Sequence, residues 1–346
     1  MEESWQKLVM QRIVVVSQCG MNMSHPVTLF TGQWTDLKLE TVAQKAKTFG
    51  FDGLELACSD GHLNVAKAKD KRYCSRVLEL LGRFDMKLWA ISNHSAGQAV
   101  CDKIDSRHKS ILPARVWGDG DPERIRKRAI KDMKCSADAA VNLGVDTVVG
   151  FTGSTIWDVF YPYPTYDPRN VERGYADFAR RWTPIMRYFD DLGVRFALEV
   201  HPTEIAYDIV TAEKALKAMN DRENFGFNFD PSHLLWQGID PVNFIETFPR
   251  RIFHVHMKDV SIRTDGKRSV LGSHLNFGDS RRAWDFRTVG RGSVNFDAII
   301  RALNHIGYKG PLSVEWEDTA MSRNRGAKEA CEFIRRIDFD PSDSTG

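Results

Sequence analysis

From Val27 to Ile337 short β-rich runs alternate with longer amphipathic stretches. The runs Val27–Phe30, Gly53–Leu56, Lys87–Asn93, Thr147–Phe151, Arg195–Val200, Phe225–Phe229, Ile252–Met257 and Pro311–Trp316 read as buried strands. Between them apolar residues recur at helical spacing over Leu39–Phe49, Cys74–Phe84, Pro122–Leu143, Val171–Leu192, Ala212–Met219, Pro241–Phe248 and Phe296–Ile306, and Arg325–Ile337 closes the series. Pro122 after Asp121 marks a helix start. The pieces KTFGFDGLEL, VNLGVDTVVG, DDLGVRFALEV and NHIGYKGPLSVEW share one grammar: a helix ends at a glycine and a strand follows a few residues later. A glycine cap feeding a short loop explains the recurrence.

Eight such units imply a parallel sheet with right-handed crossovers, so the predicted fold class is α/β, a single (β/α)8 TIM barrel spanning residues 24–338. A doubly wound open sheet is the alternative, but no G-x-G-x-x-G follows the first strand. Residues 1–23, with three further methionines, read as a disordered extension or a start codon placed too early, and 339–346 as a disordered tail. The connections Ser95–Asp121, Gly153–Asn170 and Val260–Ser293 exceed a minimal barrel's needs. All follow strands, which puts them on the C-terminal face, where barrels keep their active sites. They carry Trp117, Trp157, Tyr161, Tyr163, Tyr166 and Trp284, aromatics that suit a lid or sugar-stacking wall as well as plain packing, and Trp157 is a candidate substrate contact.

Composition narrows the function. A length of 346 residues with 42% hydrophobic and 27% charged residues fits a soluble globular chain. The net charge of +2 lacks the basic excess of a protein that grips nucleic acid. Six scattered cysteines without a C-x-x-C pair read as reduced thiols in the cytoplasm, and no apolar run reaches membrane-spanning length.

The sharpest signal lies where the last four strands end. They read ALEVHP, FNFDPSH, FHVHMKD and SVEWED, placing Glu199 and His201, Asp230 and His233, His254, His256 and Lys258, and Glu315 and Glu317 at the barrel mouth. Side chains alternate along a strand, so Glu199 shares a face with His201, His254 with His256 and Lys258, and Ser313 with Glu315 and Glu317. Burying several carboxylates together without a cation is very costly. One divalent metal held by Glu199, Asp230, His256 and Glu315 resolves that cost, and mixed oxygen and nitrogen ligands suit Mn²⁺, Mg²⁺, Co²⁺ or Zn²⁺.

In this order the four motifs resemble the xylose-isomerase-like barrel superfamily over nearly the whole chain, from Val27 to Ile337. That group includes sugar-phosphate isomerases and epimerases, ketose 3-epimerases, inosose dehydratases, C-glycoside deglycosidase catalytic subunits and endonuclease IV. The resemblance implies the same four metal ligands, Mn²⁺ as first choice, a substrate contact at His233 and a pocket-lining role for His94. His201 either binds substrate or orients Glu199; Lys258 either neutralises an enolate oxygen or pairs with Glu317 or Asp259. His254 reads as a satisfied core histidine, and Glu55 reaches the pocket or caps a loop.

Glu199 and Glu315 then form a catalytic pair that removes and returns a proton beside a chelated carbonyl through an enediolate. The predicted activity is a metal-dependent isomerase or epimerase of a keto-sugar, with a lyase or dehydratase of 3-keto glycosides or inososes as runner-up on the same site. A non-catalytic sugar-sensing barrel is a third reading. An endonuclease-IV-like phosphodiesterase is disfavoured, because GFTGS after the fourth strand supplies no histidine and WDFRTVGRG lacks an Asp-x-His pair. The arginines and lysines crowding the loop after the seventh strand read as a rim, a subunit contact or a grip for an anion. The implied partners are a small carbohydrate and either a second copy or a small accessory subunit, with no nucleic acid and no membrane.

Overall fold

The computed structural model describes residues 25–341 except 162, 165 and 166; the expectations for residues 1–23, Tyr166 and the last residues of the tail lie outside these. The strands are β1 (Val27–Phe30), β2 (Gly53–Ala57), β3 (Lys87–Ser92), β4 (Thr147–Gly150), β5 (Arg195–Glu199), β6 (Phe225–Phe229), β7 (Ile252–Met257), β8 (Asp259–Ile262), β9 (Trp284–Arg287) and β10 (Leu312–Val314). β1 to β7 and β10 form a closed parallel ring, in which β10 lies between β7 and β1. Val27 to Leu29 stand opposite Leu312 to Val314, which seals the barrel. Helices cover the outer faces, burying Trp34, Trp182, Phe178, Phe189 and Phe196 among the largest side chains. Apolar burial of this kind, about 1.5–3 kcal/mol per large side chain, is what holds the layers together.

The helices start where their caps dictate rather than where apolar periodicity begins. Lys71–Gly82 opens three residues before the predicted Cys74, because the Asp70 side chain accepts from Arg72 N. Ile209–Ala218 opens three before Ala212, on a capping box between Asp208 and Thr211. At the other ends Gly50 and Gly144 hold φ of 93° and 75°, the left-handed conformation that lets the chain turn into β2 and β4.

The sequence pattern missed one element pair. β8 and β9 form an antiparallel hairpin inside the connection read as a loop, with Val260 opposite Phe286 and Ile262 opposite Trp284. Their long separation leaves no short-turn signature. Asp259 fastens this hairpin by accepting backbone N–H groups of Val260, Gly290, Gly292 and Val294.

The loops after β3, β4 and β5 are bound to one another behind the mouth. A Cβ on Gly97 would lie 2.0 Å from the Phe151 carbonyl oxygen, so only glycine permits that approach. Asp102 accepts from Ser154 N and Gln98 Nε2 and pairs with His108. Buried Glu204 accepts backbone N–H groups of Thr152 and Gly153, each at 2.7 Å, and the Thr152 hydroxyl. Burial, reinforced by the charge of Asp102, pushes the Glu204 carboxyl up to about 8. An acid raised on folding stabilises most below its unfolded value and loses that contribution as pH climbs through the folded value. Glu204→Gln is therefore expected to melt like wild type near pH 5 and several degrees higher, to order of magnitude, near pH 9. Parallel melting curves across this range would refute the buried-acid assignment.

Candidate metal centre

Glu199 ends β5, Asp230 follows β6, His256 lies on β7 and Glu315 follows β10, and these four strands are consecutive in the ring. All four residues are buried, and each offers one ligand atom within 4.8 Å of the others. His256 Nδ1 lies 3.2 Å from Glu199 Oε2 and 3.1 Å from Glu315 Oε2. Yet His256 Nδ1, Glu315 Oε2 and Asp230 Oδ2 have no hydrogen-bond partner. Three buried atoms without a hydrogen bond, two of them carboxylate oxygens for which only Lys258 Nζ, 3.2 Å from Glu315 Oε2, stands close as a fixed cation, point into one small space and fit a divalent cation better than any neutral arrangement.

What lies beneath orients these groups. His256 Nε2 sits 3.1 Å from both Glu55 oxygens, so this ring nitrogen donates and Nδ1 faces the cluster. Glu55 also meets His254 Nε2 at 2.7 Å and accepts from the hydroxyls of Ser313 and Ser92. A carboxylate behind a ligating histidine fixes its tautomer and raises its basicity. Burial opposes ionisation of Glu55, but the charges of His256 and His254 override it and hold the carboxyl well below its ordinary value. Glu55, His254 and His256 form a second compact group, but there the carboxylate already pairs with both rings and two hydroxyls. The atoms without a hydrogen bond belong to the upper set.

The remaining lone pairs are assigned in the same way. Glu199 Oε2 meets His94 Nε2 at 3.0 Å and accepts from Asn228 Nδ2 at 3.1 Å, and Oε1 is 3.4 Å from His233 Nε2. Glu315 Oε1 accepts from Gln33 Nε2 at 2.8 Å. Asp230 Oδ1 accepts from the backbone and hydroxyl of Ser232, capping the short helix Pro231–Leu235 and leaving Oδ2 free. Burial resists charge on Glu315, but Lys258 beside it brings the carboxyl down to about 2. Lys258 Nζ lies 2.9 Å from Glu317 and 3.2 Å from Glu315, while Asp259 holds the hairpin instead.

Above the cluster opens a cavity of about 720 Å³, lined by His94, Glu199, His201, His233, Lys258, Glu315 and Glu317 among others. Burial, with the neighbouring His233 charge, keeps His201 neutral, well below the usual histidine range. It packs edge-on against His233 at 4.1 Å and makes no hydrogen bond to Glu199, which favours the wall over the orienting role. Trp157 departs from the expectation: it stacks on Phe160 and meets Tyr207 edge-on, outside the lining. Trp236, Trp284, Phe277 and Phe286 form the aromatic wall instead. Lys258 is the lone lysine or arginine among the described lining residues; Arg282 packs against the Phe277 and Trp284 rings and is tied to Leu275 O, while Arg287 and Arg291 pair with Asp285 and Glu329.

Gln33, Asn228 and Ser92 escaped the sequence reading. Asn228 was findable, two residues before Asp230 on the inward face of β6; Gln33 sits on the single-turn 3₁₀ helix Gly32–Trp34, too short for a periodicity to point inward.

The sequence profile of a family described as the xylose isomerase-like TIM barrel matches residues 43–337. An inosose dehydratase from Clostridium botulinum (strain Eklund 17B / Type B) is 34% identical over 109 residues, 32% of this chain and 36% of its own length. Three solved structures share the fold. A probable 3-DHS dehydratase, AsbF, from Bacillus anthracis has a TM-score of 0.64 at 18% identity, covering 90% of this chain and 99% of its own. A D-psicose 3-epimerase has 0.60 at 15%, with the same coverage. The IolI protein, solved with a bound zinc atom, has 0.58 at 17%, covering 90% and 96%. The chain spans half or less of the length of the first curated relatives it matches.

Glu55→Gln is expected to leave the fold intact and weaken binding of a divalent ion about 10- to 100-fold, the usual cost of losing such a supporting carboxylate. Titration calorimetry with Mn²⁺ checks it, and unchanged affinity would remove Glu55 from the account.

Proposed function

The chain belongs to the xylose isomerase-like TIM barrel family, and on that premise we propose that it is a divalent-metal-dependent isomerase or epimerase of a keto-sugar. The observation that carries this reading is the convergence of Glu199, Asp230, His256 and Glu315, with two carboxylates on different strands facing one cavity. Mn²⁺ is the first choice, with Mg²⁺, Co²⁺ and Zn²⁺ as alternatives, zinc being the ion that IolI carries. A bound divalent ion polarises a substrate carbonyl and makes the neighbouring C–H more acidic.

The chain's own groups divide the rest. Glu199, held by His94 and Asn228, takes the proton from carbon. The electron pair left behind moves onto oxygen as an enediolate, and Lys258 supplies a fixed positive charge beside it. Glu315, held by Gln33, passes a proton taken up from solvent to the opposite face, Glu199 releases its own to solvent, and the roles exchange in the reverse direction. His201 and His233 offer ring nitrogens to substrate hydroxyls. The absence of arginine from the described lining favours a substrate without a phosphate.

A second reading uses the same first step. Lys258 Nζ stands 3.5 Å from His233 Nε2, a pair able to protonate a departing β-oxygen, which would make the reaction an elimination. Two of the similar proteins are named as dehydratases, which supports this branch.

With Mn²⁺-loaded protein in D₂O, NMR is expected to show solvent deuterium entering a carbon beside the carbonyl of a ketose or 3-keto-glucoside. Product spectra then separate epimer, isomer and elimination product. Glu199→Gln and Glu315→Gln should each slow exchange about 10²- to 10⁴-fold. Exchange at wild-type rate in either variant removes that residue from the acid–base pair.

A further inference from the structure

The end of the barrel away from the mouth holds a cavity of its own. Thr147, Arg195 and Ile252 open β4, β5 and β7, Pro311 immediately precedes β10, and all four line it. Its volume is about 430 Å³, within the range of small-molecule sites. His254, third along β7 and 1% exposed, stands at its inner end, where its Nε2 meets Glu55 Oε2 at 2.7 Å beneath the metal-ligand cluster. Phe253 and Tyr308, both buried, and the half-buried Trp89 give it apolar walls.

Charge in this cavity is unbalanced. Arg195, Arg250 and Lys309 line it against a single carboxylate, Asp146. Arg195 Nη2 lies 3.1 Å from both Asp146 oxygens and from Thr147 Oγ1, whereas its Nη1 makes no hydrogen bond. Arg250 and Lys309 are exposed and have no ion-pair partner among the described residues. The adjacent Arg251 behaves differently, spending its guanidinium on the carbonyls of Asp221, Arg222 and Phe225. Two positive charges therefore remain uncompensated around one concave space, and walls of low dielectric focus their field into it.

One of these cations is held in place before any ligand arrives. The Arg195 guanidinium lies 4.8 Å from the centre of the Phe253 ring, and Asp146 fixes one of its edges. A guanidinium locked in this way loses little freedom when an anion takes its remaining donors. Arg250 and Lys309, free to swing, can close on the same anion from β7 and β10.

We infer that the barrel base is a second binding site, for a small dianion carrying a phosphoryl group or two carboxylates. Two negative charges match the excess of the lining, and the free guanidinium donors suit either kind of oxyanion. The site shares no residue with the mouth cavity and stands whatever reaction is performed there.

Sulfate is the probe, because it is a dianion at neutral pH and leaves Mn²⁺ in solution. Equilibrium dialysis of radiolabelled sulfate against the intact Mn²⁺-loaded protein, at an ionic strength held constant with chloride, is expected to show one sulfate per chain. Replacing both free cations, Arg250→Gln with Lys309→Gln, should weaken binding about tenfold or more. Both side chains are exposed, and circular dichroism reports retention of the fold. In a crystal soaked with selenate, the anomalous peak is expected beside Arg195. Competition then identifies the charged group: stronger displacement by inorganic phosphate marks a phosphoryl ligand, and stronger displacement by succinate a dicarboxylate. The inference is overturned by absence of sulfate binding, by undiminished binding in the double variant, or by a selenate peak at Lys258 in the mouth and none at the base.

Discussion

Negative charge buried in a small space is the constraint on which the rest of the mouth depends. Glu55, Glu199, Asp230 and Glu315 all lie within the barrel end, none more than 8% exposed. In a medium of low dielectric such a group cannot persist without positive charge and donated hydrogen bonds. Lys258 and His256 supply part of the compensation. Burial opposes an imidazolium at His256, but the charge of Glu55 and the contacts to Glu199 and Glu315 override it and raise the ring well above the ordinary histidine range. A metal ion bound there would meet the same demand for a cation at Nδ1 and displace the proton.

The barrel makes this concentration of charge possible. Parallel strands around a closed ring end at one level, so residues at corresponding positions on β5, β6, β7 and β10 meet without any long loop to place them. Alternation along β7 then stacks three functions on one face. His254 joins Glu55 below, His256 stands between Glu55 and the cluster, and Lys258 reaches the cavity. The longer connections add what the strands lack: the hairpin of β8 and β9 carries the aromatic wall, and the loop after β1 brings Gln33 to Glu315.

Much of this was legible in the chain, for definite reasons. Strand positions follow from apolar runs between glycine caps, and the four convergent residues follow from acids and histidines at successive strand ends. Helix starts were misjudged by up to three residues, because Asp70 and Asp208 act as caps beyond the apolar pattern. Trp157 was misplaced for another reason: an aromatic on a loop has no periodicity to fix its direction, and Phe160 and Tyr207 claim its faces. The hairpin partners are far apart in sequence, and the support that Glu55 gives His256 depends on contacts across the ring from β2 to β7.

The measurement that bears most directly on the central claim is an anomalous difference map from a crystal grown with Mn²⁺. The account predicts one peak per chain, bounded by Glu199, Asp230, His256 Nδ1 and Glu315. A peak among Glu55, His254 and His256 instead, or no peak at the barrel mouth at saturating Mn²⁺, would contradict it.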